Sequence, residues 1–268
     1  MTESRTSRTA EWDATAYFRL SNPHVVWGQP VLDRLPLNGD ETVLDAGCGA
    51  GRVTADLLER LPNGRVIALD ISANMLTEAR QQLQPRFGDR VTFVQSDLQE
   101  FSLAQPVDAI FSTAALHWVL DHPRLFECLF KALKPGGRLV AQCGGGPNIA
   151  NVLERAAVLM RTNPFEPDFR GWTGPWEFAS AEVMEDRLRD AGFVDIETSL
   201  EPKPTQMPDA DEYRSYIATV VFGSHLDRLP DEELRQSFVQ TLTDQAASDD
   251  PPFMLDYWRL NLTCRTPE

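Results

Sequence analysis

Of 268 residues, 25 are Lys or Arg and 40 are Asp or Glu, a formal net charge of −15 at pH 7. That excess repels phosphate backbones and anionic lipid, so neither nucleic acid nor a membrane is an expected partner. Hydrophobic residues make up 42% and charged residues 24%, a balance that excludes general disorder and supports a large buried core.

The length suits a single domain over residues 1–268, with cap insertions at approximately 144–179 and 204–250. Met1 to Ala10 are polar, and no stretch approaches the roughly 18 apolar residues that would span a bilayer, so a cytoplasmic protein is expected. Cys48, Cys128, Cys143 and Cys264 are scattered, with no Cys-x-x-Cys pair and no His at ligand spacing. Reduced thiols and no metal are expected. The oligomeric state is not written in the sequence.

In chain order, short apolar runs predict strands over Thr42 to Ala46, Arg65 to Asp70, Val91 to Asp97, Val107 to Thr113 and Arg138 to Cys143. Helices separate them. Ser72 can cap one that carries Met75, Leu76, Ala79 and Leu83, and Asp121 one that carries Leu125, Phe126, Leu129 and Leu133. The second should stop at Lys134-Pro135-Gly136-Gly137. Beyond Cys143 a helix is expected over Pro147 to Arg161, then a Pro-, Trp- and Phe-rich stretch, a helix over Ala181 to Ala191 and a strand over Val194 to Ser199. Asp209 with Glu212 resembles a capping box ahead of a stripe of Tyr213, Tyr216, Ile217, Val220 and Val221. A further helix carries Leu234, Phe238 and Leu242, and a last strand alternates Trp258, Leu260, Leu262 and Cys264 with Arg259, Asn261 and Thr263. This alternation predicts an α/β fold, a doubly wound, mostly parallel sheet with its ligand at the carboxyl ends of the strands.

The chemistry starts at Val43 to Gly51, where a strand breaks into Gly47, Gly49 and Gly51 before a helix. Glycines admit positive φ and let backbone approach a ligand closely. Asp70 ends the second strand nineteen residues beyond Gly51, a spacing that suits a carboxylate on ribose hydroxyls, although a turn or cap residue before Ser72 fits equally. Asp97, at the expected end of the third strand, offers a second acceptor on the same rim or a plain turn aspartate. The dinucleotide fingerprint would need Gly or Ala at position 52, and Arg52 stands there, which disfavours a nicotinamide cofactor.

Val43 to Gly51, with Asp70 and Asp97, resembles the class I S-adenosylmethionine-dependent methyltransferases. Ser112 to Trp118, Lys134 to Leu139 and Gln206-Met207-Pro208 are similar to segments of the trans-aconitate and malonyl-carrier-protein methyltransferases. The resemblance implies a Rossmann-like, seven-stranded sheet with a helical cap and an antiparallel final strand. It implies S-adenosyl-L-methionine as cofactor, S-adenosyl-L-homocysteine as product and a small-molecule substrate. By the same resemblance Ala46, Gly47, Cys48, Gly49 and Gly51 meet the methionyl part, Asp70 the ribose and Asp97 the adenine amine. Ile71, Met75 and Leu98 wall the adenine, Thr113 borders the cofactor and Tyr17 closes over it.

Methyl transfer to a carboxylate asks for orientation and water exclusion more than for a base. The expected reaction is O-methylation of a small, carboxylate-bearing metabolite, with C-methylation of a lipid or polyketide-like molecule and non-catalytic cofactor binding as alternatives. His117 is the candidate substrate contact or base. Phe165, Phe169, Trp172, Trp176, Phe178, Tyr213, Tyr216 and Phe222 could roof a pocket or pack a core, and Arg161 and Arg170 are candidate carboxylate partners. A polycarboxylate substrate would call for more than one cation.

Overall fold

A computed structural model describes residues 22–268 of the protein. Tyr17 lies outside the described residues. Helix α1 (Asn22–Asp33) leads into β1 (Thr42–Ala46), α2 (Arg52–Glu59), β2 (Arg65–Asp70), α3 (Ala73–Phe87), β3 (Val91–Gln95), β4 (Val107–Thr113), α4 (His122–Ala132) and β5 (Leu133–Gly144). The second half holds α5 (Ala150–Leu159), α6 (Glu166–Phe169), α7 (Ala181–Asp190), β6 (Val194–Pro202), β7 (Thr205–Gln206), α8 (Ala210–Tyr216), α9 (Gly223–Leu226), α10 (Glu232–Ala246), β8 (Met254–Leu255) and β9 (Trp258–Arg265).

Seven strands form one sheet in the order β3-β2-β1-β4-β5-β9-β6. The first five are parallel, and β9 runs antiparallel to both β5 and β6. Strand β1 sits between β2 and β4, with Val43 opposite Val66 and Ala109. The pleat sends Leu44, Leu69, Ile110 and Leu139 to one face, against Phe126 and Leu129 of α4 and Met184 and Leu188 of α7. It sends Val43, Val66, Phe111 and Val140 to the other, against α1, Leu57 and Leu58 of α2, and Ala79 and Leu83 of α3. Burial on both faces is why these strands read as unbroken apolar runs.

The expected caps form. Ser72 accepts from the Met75 N–H, Asp121 from Arg124, and Asp209 from Glu212. Several boundaries move. Strand β3 ends at Gln95, so Asp97 lies in the turn beyond it. The Pro-Gly-Gly segment does not separate α4 from β5. The strand begins at Leu133 opposite Val107 and resumes at Arg138 opposite Ala109, with the residues between bulged out. The bulge is held by Thr266 Oγ1 donating to Lys134 O at 2.6 Å and by Gly136 N–H donating to Pro267 O at 2.9 Å. Helix α5 starts at Ala150 rather than Pro147, behind Ile149 at φ 49°. Strand β6 runs three residues past Ser199, which lets it pair with β9 as far as Trp258.

The helices α5, α6, α8, α9 and α10 share a separate apolar cluster built on Phe165, Phe169, Tyr213, Tyr216, Phe222 and Phe238. The stripe read as one helix from Tyr213 to Val221 widens into a π turn over Ile217–Val221, with Phe222 N–H donating to Ile217 O at 2.7 Å. His225 is buried in this cluster, 4.5 Å from the Trp172 ring and 4.8 Å from Phe222. Its Nδ1 has no partner among the described residues. Burial, with the Arg228 charge adding to it, pushes the imidazole pKa down from 6.5 to about 3.

The unfolded chain protonates this histidine first, so its contribution to stability is whole above pH 6.5 and is lost as pH falls toward 3. His225→Phe removes that loss. Thermal melts of both proteins from pH 7 to pH 4 should show the wild type falling toward, or below, the variant, at a limiting slope of about 1.4 kcal/mol per pH unit. Parallel curves would refute the assignment.

Candidate active site

At the carboxyl end of β1 the chain turns through Gly47, Gly49 and Gly51, at φ 82°, 53° and 85°. Leu69 O anchors the turn by accepting from the Gly47 and Cys48 N–H groups at 2.8 and 3.0 Å. The three glycines do different work. A Cβ on Gly47 would stand 2.2 Å from the Ala115 Cβ, and one on Gly51 would stand 2.9 Å from Leu83 Cδ1. A Cβ on Gly49 would meet nothing within 4 Å. Gly47 and Gly51 therefore allow packing, whereas Gly49 faces open space. Ala46 is fully buried beneath the turn, and the half-buried Cys48 donates its Sγ–H to Gly49 O at 3.5 Å.

Asp70 takes the turn role read for it and also ties in the glycine loop. Its Oδ2 accepts from Gly49 N–H and its Oδ1 from Ser72 N–H, both at 2.9 Å. Asp97 is half-buried, and its Oδ1 accepts from Gln99 N–H at 2.9 Å, the turn geometry expected of the plainer reading. Ile71 is half-buried at the rim, Met75 is buried at the start of α3, and Leu98 belongs to the core under the sheet. Thr113 ends β4, half-buried, opposite Gln142. The sequence reading passed over Asp45. This buried carboxylate accepts from Thr54 Oγ1 at 2.7 Å, and burial raises its pKa to about 7, with Thr54 opposing and Asp70 adding. A carboxylate inside an otherwise apolar strand was the available signal.

Beyond β4, Ala114 takes φ 56° and the chain enters a short 3₁₀ turn, Leu116–Trp118. His117 is 8% exposed, its ring 5.4 Å from Trp118 and 5.6 Å from Phe178. Its Nδ1 accepts from Gly144 N–H at 3.3 Å. The proton of the neutral ring therefore sits on Nε2, which makes that atom a donor rather than a base. A second histidine braces the turn. His122 Nε2–H donates to Leu116 O at 3.2 Å, and its Nδ1 accepts from Arg187 at 2.6 Å. Burial first, and then the Arg187 charge, lower the His122 pKa and keep the ring neutral. Arg187 also pairs with Glu177 at 2.8 Å, whose N–H donates to His117 O at 2.9 Å.

His117, Trp118, Asn148, Trp176, Phe178, Tyr257 and Arg259 line a solvent-open cleft, together with Val220 and Val221 from the π turn. Arg259 is 2% exposed, and its guanidinium carbon lies 4.5 Å from the Trp27 ring centroid and 5.7 Å from that of Tyr257. The Tyr257 hydroxyl meets that of Tyr216 at 3.0 Å. Of the aromatic cluster read from sequence, Trp176 and Phe178 reach the cleft. Phe165, Phe169, Trp172, Tyr213, Tyr216 and Phe222 pack the helical cluster instead. The two candidate arginines also lie elsewhere. Arg161 is exposed, and Arg170 pairs with Glu166 at 3.0 Å one turn away. Arg259 was missed because strand alternation only grouped it with the polar Asn261 and Thr263, whereas β9 is inserted between β5 and β6 and buried on both faces.

Residues 43–137 match the family described as a methyltransferase domain. A trans-aconitate 2-methyltransferase of Azoarcus sp. is 38% identical over 187 residues, an alignment that covers 69% of this chain and 66% of that one. Another, from Deinococcus radiodurans, is 31% identical over 225 residues, covering 81% of this chain and 84% of that one. The chain belongs to the S-adenosylmethionine-dependent methyltransferases. Within them it stands close to the trans-aconitate group. The methyltransferase fold also appears in phosphoethanolamine N-methyltransferase 2 of Haemonchus contortus, solved with phosphomonomethylethanolamine and S-adenosylhomocysteine. That match has a TM-score of 0.61 at 18% identity, over 95% of this chain and 57% of that one. Among the described residues of this methyltransferase no helix is long and apolar enough to cross a membrane.

The glycine geometry separates two substitutions. Gly47→Ala combines a positive φ with a clash against Ala115 and should cost about 2–4 kcal/mol of stability. Gly49→Ala meets no clash and should cost about 1 kcal/mol. Denaturant unfolding of the two variants checks this, and equal losses would refute the packing role of Gly47.

Proposed function

We propose that this methyltransferase moves a methyl group from S-adenosyl-L-methionine to a carboxylate oxygen of a small metabolite, in the cytoplasm and by chemistry that calls for no metal. One observation carries the reading. A cleft beside the glycine turn places a buried guanidinium, Arg259, and a His117 N–H donor among aromatic walls, with no carboxylate among the described residues that line it. The names of the two trans-aconitate methyltransferases, which specify methylation of an acid, support it.

The residues at the rim suit the cofactor. Gly49 leaves open space before the turn, and beside it stands the Asp70 carboxylate, an acceptor of the kind that suits ribose hydroxyls. Ala46, Gly47, Cys48 and Gly51 would shape the methionyl side. Asp97 would accept from the adenine amine, with Ile71, Met75 and Leu98 as its apolar surround and Thr113 at the border. The cofactor supplies a methyl group already activated on a sulfonium and leaves as S-adenosyl-L-homocysteine, so one C–O bond replaces one S–C bond and the bonding pair stays with sulfur. The acceptor carboxylate is ionised at pH 7, and no proton moves. Arg259 and His117 Nε2–H would orient it, and Trp118, Trp176 and Phe178 would exclude water. That Nε2 is a donor counts against a carbon acceptor, which would need a base.

Two outcomes test this reading. Asp70→Ala should weaken S-adenosyl-L-methionine binding at least tenfold by calorimetry, the scale of a charge-assisted hydrogen bond. Unchanged affinity in a folded variant would remove Asp70 from the cofactor site. With methyl-deuterated cofactor and a panel of small acids, phenols and lipid-like metabolites, mass spectrometry should find a labelled product that mild alkali hydrolyses. A labelled product that survives alkali would place the methyl on an ether or on carbon.

A further inference from the structure

The cleft is uneven in a way that narrows its substrate. Among the described residues that line it, Arg259 is the one side chain of full charge; the rest are His117, Asn148, four aromatic rings and small or aliphatic groups. Arg259 stands on β9 opposite Gly144 of β5 and Glu201 of β6, and the Trp27 and Tyr257 rings flank its guanidinium. Five N–H donors in a planar fork are enough to grip a carboxylate bidentately alongside protein neighbours.

Among the described lining residues, further carboxylates would find no such partner. They would press against Trp118, Trp176, Phe178 and the aliphatic wall of Ile149, Val220 and Val221, where an unpaired charge is costly to bury. The net charge of −15 also repels a multiply charged acid during approach. The same walls favour a planar partner. Trp176 and Phe178 stack with centroids 5.6 Å apart and planes 13° apart, and Trp118 lies 5.6 Å from Trp176.

We infer that the acceptor is a monocarboxylic acid with a flat, conjugated body, its carboxylate anchored by Arg259 and its body laid against the aromatic rings. This rests on the carboxylate-methylating reading above. It separates this chain from the tricarboxylic acid in its relatives' names.

The test uses the full chain with S-adenosyl-L-methionine and three acids taken singly: trans-cinnamate, benzoate and trans-aconitate. Methyl ester is quantified by mass spectrometry. At least one monoacid should exceed trans-aconitate in kcat/KM by 30-fold or more. Arg259→Gln should raise the monoacid KM at least tenfold while cofactor affinity holds, and Arg259→Lys should recover only part, because a point charge cannot reproduce the fork. If Arg259→Gln does not fold, calorimetry on the wild type loaded with S-adenosyl-L-homocysteine decides: trans-cinnamate should bind at least tenfold more tightly than trans-aconitate. An equal or higher kcat/KM for trans-aconitate, no ester from either monoacid, or an unchanged monoacid KM in folded Arg259→Gln would overturn the inference. Ester formed from trans-aconitate would leave the carboxylate reading standing. Alkali-stable product from the wider panel, with no ester from any acid, would bring that reading down as well.

Discussion

The Asp70 carboxylate is the constraint on which the rim depends. Three backbone segments converge there: the glycine turn after β1, the end of β2 and the first turn of α3. Asp70 joins them by accepting from Gly49 on one oxygen and from Ser72 on the other. Its own carbonyl accepts from Ser96 at 3.1 Å, which adds the turn after β3. Because the turn is pinned, Gly47 can sit against Ala115, and that contact sets the distance between the glycine turn and the His117 segment. The rim and the cleft are thus parts of one assembly, and neither can shift without disturbing the other.

Most of the parallel sheet was legible in the sequence, for a physical reason. Strands buried on both faces must be apolar throughout, and each was bounded by Gly, Asp or Pro, so β1, β2 and β4 fall on the expected residues. Caps were legible too, because a side-chain oxygen three residues ahead of a free N–H is a local event. What could not be read were features fixed by distant chain. The bulge in β5 looks like a helix stop until Thr266 and Pro267 are brought against it. The small β7–β8 ladder joins residues about fifty apart, and the π turn at Ile217–Val221 leaves no mark on the apolar stripe.

The site divides in the same way. The glycine turn and Asp70 were visible because spacing along the chain encodes them. Arg259 was not, since its role depends on which strands flank β9. Alternation in an antiparallel strand normally marks one wet face, but here both faces are covered, and the polar residues on the second face form a buried network. Gln142 and Arg34 both donate to Asn261 Oδ1, at 2.7 and 2.9 Å. An Arg in such a strand costs stability unless it is satisfied or used, and its burial there became legible only with the strand order.

That strand order has a consequence for how the molecule is made. Strand β6 pairs in the sheet with β9 and with no other described strand, although β9 follows it in the chain by more than fifty residues. Until β9 has been synthesised and inserted, β6 has no neighbour to complete its ladder, and the edge of β5 stays open. The parallel strands can condense around β1 as they emerge, and with them the rim of the glycine turn and Asp70. The antiparallel pair must wait for a contact of long sequence separation, the slow class of folding event. Arg259 arrives on that late strand. A nascent chain would therefore complete the glycine turn and its Asp70 clasp before the cleft around Arg259.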